Sequence, residues 1–219
     1  MPVTYGAVTW ASVTSARSDA RGRLPAEERR EQLLDVTKAL VDERGFHGVS
    51  IEAVAREAGI TRPVVYGHFA DLRALLEALV DREGERALRQ LADVLPTDLT
   101  EGDPRATLLA GMRGYLEAVQ ADPATWRLVL MPPEGAPAVL RERVTQGRAA
   151  VVAALAAAVG APGAPGRESP DPELTARMMS ALSDEGARLV LTDPEQYPPE
   201  RILAHTRWAL DLLPVDDAE

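Results

Sequence analysis

The sequence has no cysteine, and its 219 residues include only three histidines, His47, His68 and His205. Disulfides, thiolate zinc sites and cysteine nucleophiles are therefore excluded, and we expect neither a metal site nor a cofactor. No segment approaches the roughly 20 apolar residues needed to span a bilayer, and the first two dozen residues lack the apolar stretch of a signal peptide. We expect a soluble, cytoplasmic protein with no membrane partner.

Sequence motifs of the common enzyme classes are also missing. The chain has no Walker loop, no Gly-x-Ser-x-Gly, no His-Glu-x-x-His and no glycine-rich turn after a strand. These motifs carry phosphate binding, acyl transfer, zinc hydrolysis and dinucleotide binding in the families that use them. We therefore predict that the protein is not an enzyme.

Basic residues are outnumbered, with 24 lysines and arginines against 34 aspartates and glutamates. The net charge of −10 argues against a protein that coats nucleic acid everywhere, because phosphate neutralisation needs concentrated cations. The first 69 residues are neutral, with nine basic and nine acidic side chains, so any DNA contact must arise there, with help from neutral donors and helix N-termini. Lys38 is the only lysine, and this bias towards arginine indicates a GC-rich coding sequence rather than a chemical role.

Apolar residues recur at spacings of three and four along most of the chain, and no alternating run indicates a strand. This pattern predicts an all-α fold. Residues 25–71 read as a unit of short helices and residues 72–219 as a unit of longer ones, with a Gly/Pro linker at 160–172. Residues 1–24 have no period and are interpreted as a flexible arm, which is either a disordered tail or an extension that contacts DNA.

Two short helices follow a longer first helix. The second helix begins after Ser50, a favoured N-cap residue, is about nine residues long and ends at Gly59. Thr61 caps a third helix that extends through Phe69. A longer helix followed by two short ones across a glycine turn predicts a helix-turn-helix, whose last helix can lie in the major groove of DNA.

The helical period assigns a face to each residue of the third helix. Val65 falls on the buried side, whereas Arg62 and Val64 point outward, where an arginine can pair with guanine and a valine can meet a thymine methyl. Tyr66 and His68 lie at the edges, either as phosphate donors or as residues that pack against the small core. The candidate DNA-binding residues are Ser50, Thr61, Arg62, Pro63, Val64, Tyr66, Gly67, His68 and Arg73.

The segment from about Arg29 to Leu79 resembles the TetR family of bacterial transcription regulators. The resemblance rests on motifs in that family's order and spacing: Gly45-Phe46, Val49-Ser50-Ile51, Val54-Ala55, Ala58-Gly59-Ile60-Thr61, Tyr66-Gly67-His68-Phe69 and Leu75-Leu76. It implies a homodimer that binds a palindromic double-stranded operator as a repressor and releases it when a small-molecule effector binds. Where the family usually has a lysine at the start of helix 4, this chain has Leu72, and the next residue, Arg73, either takes over the phosphate contact or does not.

The resemblance implies an N-terminal three-helix helix-turn-helix DNA-binding domain followed by a helical ligand-binding and dimerisation domain. Inward methionines and aromatic residues predict an apolar effector, with few charges near it, between the helix of Leu108, the segment of Trp126 and the penultimate helix. The candidate pocket residues are Met112, Tyr115, Leu116, Val119, Trp126, Val129, Met131, Met178, Leu182 and Glu185. The aromatic residues and methionines are also consistent with ordinary core, and Glu185 with a surface pair to Arg188. We expect helix 4 to be the lever between pocket and DNA.

The last two predicted helices, from Glu173 to about Thr192 and from Pro199 to Leu213, carry more apolar residues than a small core can absorb. They are Met178, Leu182, Leu189, Ile202, Ala209, Leu210 and Leu213. Pairing two such hairpins into a four-helix bundle would bury them and form a homodimer. The acidic end of the chain, with Asp216, Asp217 and Glu219, is expected to be a solvated tail. An alternative function is a helical interaction or sensor protein that has lost specific DNA binding, which the acidic balance and Leu72 favour.

Overall fold

The computed structural model describes residues 24–133, 135–161 and 169–211 of the chain. Within these ranges all regular structure is helical, which confirms the predicted all-α class. A short 3-10 helix, Phe46–Gly48, follows the first of the α-helices. The α-helices are α1 Ala26–Arg44, α2 Ile51–Glu57, α3 Arg62–Tyr66, α4 Leu72–Ala92, α5 Pro104–Ala121, α6 Pro123–Leu130, α7 Ala138–Val159, α8 Pro172–Thr192 and α9 Pro199–Asp211.

Side-chain caps define where several helices begin. The Ser50 hydroxyl oxygen accepts a hydrogen bond of 3.1 Å from the backbone N–H of Ala53, so α2 starts where the sequence predicts. The Asp71 carboxylate accepts one of 2.7 Å from Ala74 at the start of α4. Gly59 has a φ of +67°, the left-handed conformation that reverses the chain between α2 and α3. The two short helices are shorter than expected, and α3 ends before Phe69 because the chain turns at Gly67.

The first hydrophobic core joins α1 to α4. Leu33, Val54, Val65 and Leu75 are fully buried in it. This core continues along α4 as far as Val80, and it includes Leu128 of α6 and Leu140 of α7. Apolar packing therefore crosses the predicted boundary between residues 71 and 72, because the first half of α4 packs against α1, α2 and α3.

A second core lies beyond Val80. It is built from α4, α5, α6, α8 and α9, with Leu116, Val119 and Trp126 almost completely inaccessible to solvent. Ala87 is the buried residue of α4 in this core. Among the described helices, none has the length and apolar character required to cross a bilayer.

The last two helices have the predicted positions, but they are only partly covered. Met178 and Leu182 on α8 are 60% and 73% exposed. Ala209 on α9 is also exposed, whereas Leu189, Ile202 and Leu210 are half-buried. The expected arm at residues 1–23, most of the Gly/Pro linker, Leu213 and the acidic tail fall outside the described residues.

Candidate DNA-binding surface and effector cavity

Helix α3 separates a buried side from an exposed side, as the helical period predicts. Val65 is completely buried, and Phe69, just beyond the helix, is 4% exposed beneath the guanidinium of Arg30, whose carbon lies 4.5 Å from the ring centre. Val64 and Tyr66 are 40% and 52% exposed on the other side. The outer side of α3 is therefore free to approach another molecule while its inner side anchors it to α1, α2 and α4.

Both candidate arginines of this surface are held by carboxylates. Arg62 Nη1 lies 2.6 Å from Glu52 of α2, and Arg73 Nε lies 2.7 Å from Glu77, one turn along α4. The hydrogen bond from Arg62 is the main reason that the pKa of Glu52 lies below its ordinary value. A guanine would have to displace Glu52 to gain the bidentate contact with Arg62, so this ion pair competes with DNA.

The other candidate DNA-binding residues cluster around the start and end of α3. Thr61 occupies the N-cap position, is exposed and does not use its side chain as a cap, which leaves the hydroxyl available for a phosphate. Ser50 accepts from Ala53, so its hydroxyl hydrogen is still available to a phosphate. Pro63 and Gly67 are exposed and His68 is half-buried. All nine predicted residues except Arg73 lie on α3, its flanks or the start of α2.

A cavity of about 680 Å³ lies in the C-terminal half, between α4, α5, α6, α7, α8 and α9. Its size is that of a pocket for a drug-sized molecule. Five of the predicted pocket residues line it: Met112, Tyr115, Trp126, Val129 and Leu182. Helices α4 and α7 form walls that the sequence reasoning missed, through Gly84, Leu88 and Val151 among others. The apolar stripe of α4 continues past Val80 at spacings of three and four, which is the signal that could have revealed that wall.

The other five predicted pocket residues do not line this cavity. Leu116 and Val119 point into the second core, because consecutive helix positions are rotated by about 100° and, of the four candidates on α5, Met112 and Tyr115 are the two that face the cavity. Met131 lies beside a smaller cavity of about 100 Å³ near α1. Met178 faces solvent, and Glu185 forms an exposed ion pair of 3.3 Å with Arg188.

Two aromatic residues form one end of the cavity. The rings of Tyr115 and Trp126 meet edge to face, with centroids 5.1 Å apart. Trp126 is 1% exposed and donates its indole N–H to Gln90 at 3.0 Å. Burial, together with the neighbouring charge of Asp184, raises the pKa of Tyr115, so its hydroxyl remains a donor. These two residues thus supply apolar rings and a hydroxyl that is oriented by its hydrogen bond to Asp184.

The cavity wall is mostly apolar, as expected, but it includes ion pairs that the sequence analysis did not predict. The Asp184 carboxylate, which lines the cavity, accepts a hydrogen bond of 3.1 Å from the Tyr115 hydroxyl and one of 2.7 Å from Arg148. A second pair in the lining joins Arg143 to Asp81 at 2.8 Å. These partners lie on different helices and far apart in sequence, so spacing alone gives no sign that they meet. The cavity is apolar in most of its wall but carries two ion pairs.

The arrangement defines a helix-turn-helix protein whose second half encloses a ligand-sized cavity. Residues 33–79 match the family model described as bacterial regulatory proteins, tetR family. This match covers 47 of the 219 residues, so the chain is similar to that family over this segment.

Individual relatives are similar to the chain over a longer stretch. The chain is 30% identical over 115 residues to the HTH-type transcriptional activator FasR of Mycolicibacterium smegmatis, covering 52% of this chain and 51% of FasR. It is 36% identical over 105 residues to the HTH-type transcriptional regulator BetI of Yersinia pestis, covering 45% of this chain and 50% of BetI. In these matches the chain spans about half the length of the curated relatives. The SmeT–triclosan complex has a similar structure, with a TM-score of 0.64 at 25% identity, covering 83% of this chain and 91% of SmeT.

Proposed function

We propose that the protein is a transcription regulator that binds a palindromic DNA operator through α2 and α3 and releases it when a small molecule enters the cavity. The observation that carries the proposal is the two-sided packing of α3. Its inner residue Val65 is completely buried, while Arg62, Val64 and Tyr66 are exposed together on the side that a recognition helix presents to a major groove. Because operator DNA is cytoplasmic in bacteria, we propose that compartment, and an activity limited to binding.

The cavity supports the proposal of a small-molecule effector. Its volume of about 680 Å³, its apolar walls and its few fixed polar groups are typical of ligand pockets. The complex of the structurally similar SmeT with triclosan provides independent support. An effector acts only if it binds more tightly to a conformation whose two recognition helices no longer match successive major grooves.

We propose that a second copy of this chain covers the exposed side of α8 and α9. Leu174, Met178 and Leu182 recur every fourth residue on α8 and are 53%, 60% and 73% exposed, and Trp208 on α9 is 56% exposed. A two-fold arrangement of two such hairpins buries this stripe against itself. The same two-fold axis relates the two α3 helices, so the operator is palindromic. Leu174 and Trp208 extend the stripe beyond the residues predicted from the sequence.

We propose repression as the sign of regulation, because a dimer seated in two successive major grooves of a promoter denies those grooves to other proteins while it is bound. Transcription in vitro from a promoter that overlaps the operator tests this proposal. The transcript should fall when the protein is added and recover on addition of an effector.

The decisive experiment is selection of binding sites from a randomised DNA library with the full-length chain, followed by mobility shifts on the enriched sequence. We expect an inverted repeat. Arg62→Ala should relax the preference at one base per half-site and cost about 1–3 kcal/mol. The control Arg89→Ala removes a similarly exposed arginine, 68% against 59%, from the last turn of α4 and should change nothing. Failure to enrich any sequence would favour an interaction protein instead.

A further inference from the structure

A fully buried carboxylate lies where α4 passes from one core to the other. Val80 belongs to the first core and Ala87 to the second, and Glu83 lies between them with no exposed surface. An unpaired charge at such a position is strongly destabilising. The partners of Glu83 therefore show what the junction between the two halves depends on.

Three helices supply those partners. Lys38 of α1 places its ammonium 3.0 Å from Glu83, 2.7 Å from Asp122 at the α5–α6 junction and 2.6 Å from the Thr125 hydroxyl of α6. Thr125 in turn donates its hydroxyl hydrogen to Glu83. We call Lys38, Glu83, Asp122 and Thr125 the junction cluster. On its α4 side, Arg82 binds the other oxygen of Glu83 at 2.8 Å.

The cation in the junction cluster is the only lysine of the chain, whose other 23 basic residues are arginines. An ammonium carries three N–H donors arranged around one nitrogen, and here three acceptors from three residues surround it. The planar fork of an arginine is suited to one carboxylate edge and does not reproduce this arrangement. The geometry thus explains why a lysine rather than an arginine occupies this position, which the composition alone does not reveal.

The junction cluster is held in its charged form. Burial acts to raise the pKa of Glu83, but hydrogen bonds from Thr125 and Lys38 and the charges of Lys38 and Arg82 outweigh it and keep that pKa below its ordinary value. The pKa of Asp122 is likewise lowered, against the effect of burial, mainly by its hydrogen bonds with Lys38 and Thr125. Both carboxylates therefore remain ionised at neutral pH.

The junction cluster is one residue away from the effector cavity. Thr125 and Trp126 are consecutive on α6, and Trp126 lines the large cavity while Thr125 contacts Lys38. Apolar packing between α1 and α6 is incomplete, since a cavity of about 100 Å³ lies between them, lined by Val41, Leu128 and other residues. The attachment of α1 to α6 thus combines the apolar packing of Leu128 with the polar contacts of the junction cluster.

We propose that the junction cluster is the positioning element that fixes the DNA-binding half on α6, with Thr125 as the residue through which a change at Trp126 reaches Lys38 and α1. The inference rests on the proposed function for its regulatory meaning, but the attachment itself can be tested without DNA. A ligand that shifts Trp126 also shifts Thr125, opens the cluster and frees α1 from its position. The cluster is closed in the form that binds DNA.

The unique lysine makes the test direct. Acetylation of the full-length chain by N-hydroxysuccinimide acetate, followed by peptide mass spectrometry, reports one lysine side chain separately from the α-amine. Lys38 is 13% exposed and fully engaged, so we expect slow labelling. Thr125→Val should speed it about tenfold, and Thr125→Ser, which keeps the hydroxyl, should restore the wild-type rate. Asp42→Asn breaks the exposed 2.9 Å pair with Arg127 at the same interface and should have little effect.

A second arm adds a selected operator. Closure in the DNA-bound form predicts that the operator slows Lys38 labelling about fivefold in the wild type and in Thr125→Ser, but not in Thr125→Val, measured at saturating DNA. The inference would be overturned if Lys38 in Thr125→Val were labelled at the wild-type rate without DNA. It would also be overturned if DNA slowed labelling of that variant as much as it slows labelling of the wild type. Faster amide exchange throughout both cores, which indicates general destabilisation, would overturn it as well. If no operator is found, the proposed function fails while the DNA-free arm still decides the inference.

Discussion

Two adjacent valines of α3 allow the orientation of the recognition helix to be tested with one chemical change. Val65 is 0% exposed and Val64 is 40% exposed. Substitution by alanine removes the same two methyl groups from each. At about 0.8 kcal/mol per buried methyl-sized group, Val65→Ala loses about 1.6 kcal/mol of transfer free energy, and the residual cavity brings the cost to about 2–3 kcal/mol. Val64→Ala should cost less than about 0.5 kcal/mol.

The assay has two readouts for each variant. Urea denaturation followed by circular dichroism should move the midpoint to lower urea for Val65→Ala and leave it in place for Val64→Ala. In binding to a randomised half-site library, Val64→Ala should change the base preference and Val65→Ala should not. Val64→Ala loses a contact to a thymine methyl and so weakens the preference for thymine at one position, whereas Val65→Ala keeps the wild-type preference.

Equal destabilisation by the two substitutions would refute this orientation of α3, since it would mean that both valines are packed. A base preference that changed with Val65→Ala but not with Val64→Ala would refute the assignment of the outer surface. Because the variants differ by one position and have identical composition, a general effect of alanine on helix stability cannot produce the expected contrast.

Three further predictions concern charge and association. Glu52→Gln removes the carboxylate that holds Arg62 and a negative charge next to DNA phosphates, so mobility shifts should show operator affinity raised severalfold. Because the pKa of Glu83 is held below its ordinary 4.5, its stabilisation is present above that pH and is lost as pH falls through the folded-state value. The urea midpoint of the wild type should therefore fall in acid more steeply than that of Glu83→Gln, which should be less stable at pH 7; equal slopes would contradict this. Met178→Glu should yield monomers in sedimentation at micromolar concentration, whereas Leu24→Glu, at a 37% exposed site elsewhere, should leave the dimer intact.

The helix-turn-helix could be predicted because its signals are local. Ser50 as a cap, Gly59 in a left-handed turn and the spacing that buries Val65 all act within a few residues of one another. The lengths of α2 and α3 were less predictable, since helix ends depend on where the chain turns away to pack. Thr61 shows the limit of the cap rule, because it occupies the N-cap position without using its side chain.

The cavity was only half predicted, because its lining depends on how six helices are arranged in space. Methionine and aromatic content correctly drew attention to Tyr115 and Trp126, but it did not separate Tyr115 from its neighbour Leu116, which faces the core. The ion pair of Asp184 with Arg148 joins residues 36 positions apart. Lys38 and Asp122 are separated by 84 positions, so nothing local marks their contact.

We infer that, in the proposed regulator, the role expected for α4 as the lever between cavity and DNA is shared with α6. Helix α4 has 21 residues and is anchored by apolar side chains in both cores, so moving it as a body disturbs both at once. Helix α6 has eight residues, and three of them meet three different surroundings: Thr125 the junction cluster, Trp126 the cavity and Leu128 the first core. A small rotation of α6 therefore changes all three contacts together. Moving α6 while α4 stays nearly stationary thus requires less rearrangement of the two cores than moving α4. Such a movement of α6 would first reach the DNA-binding half through the contacts of Lys38.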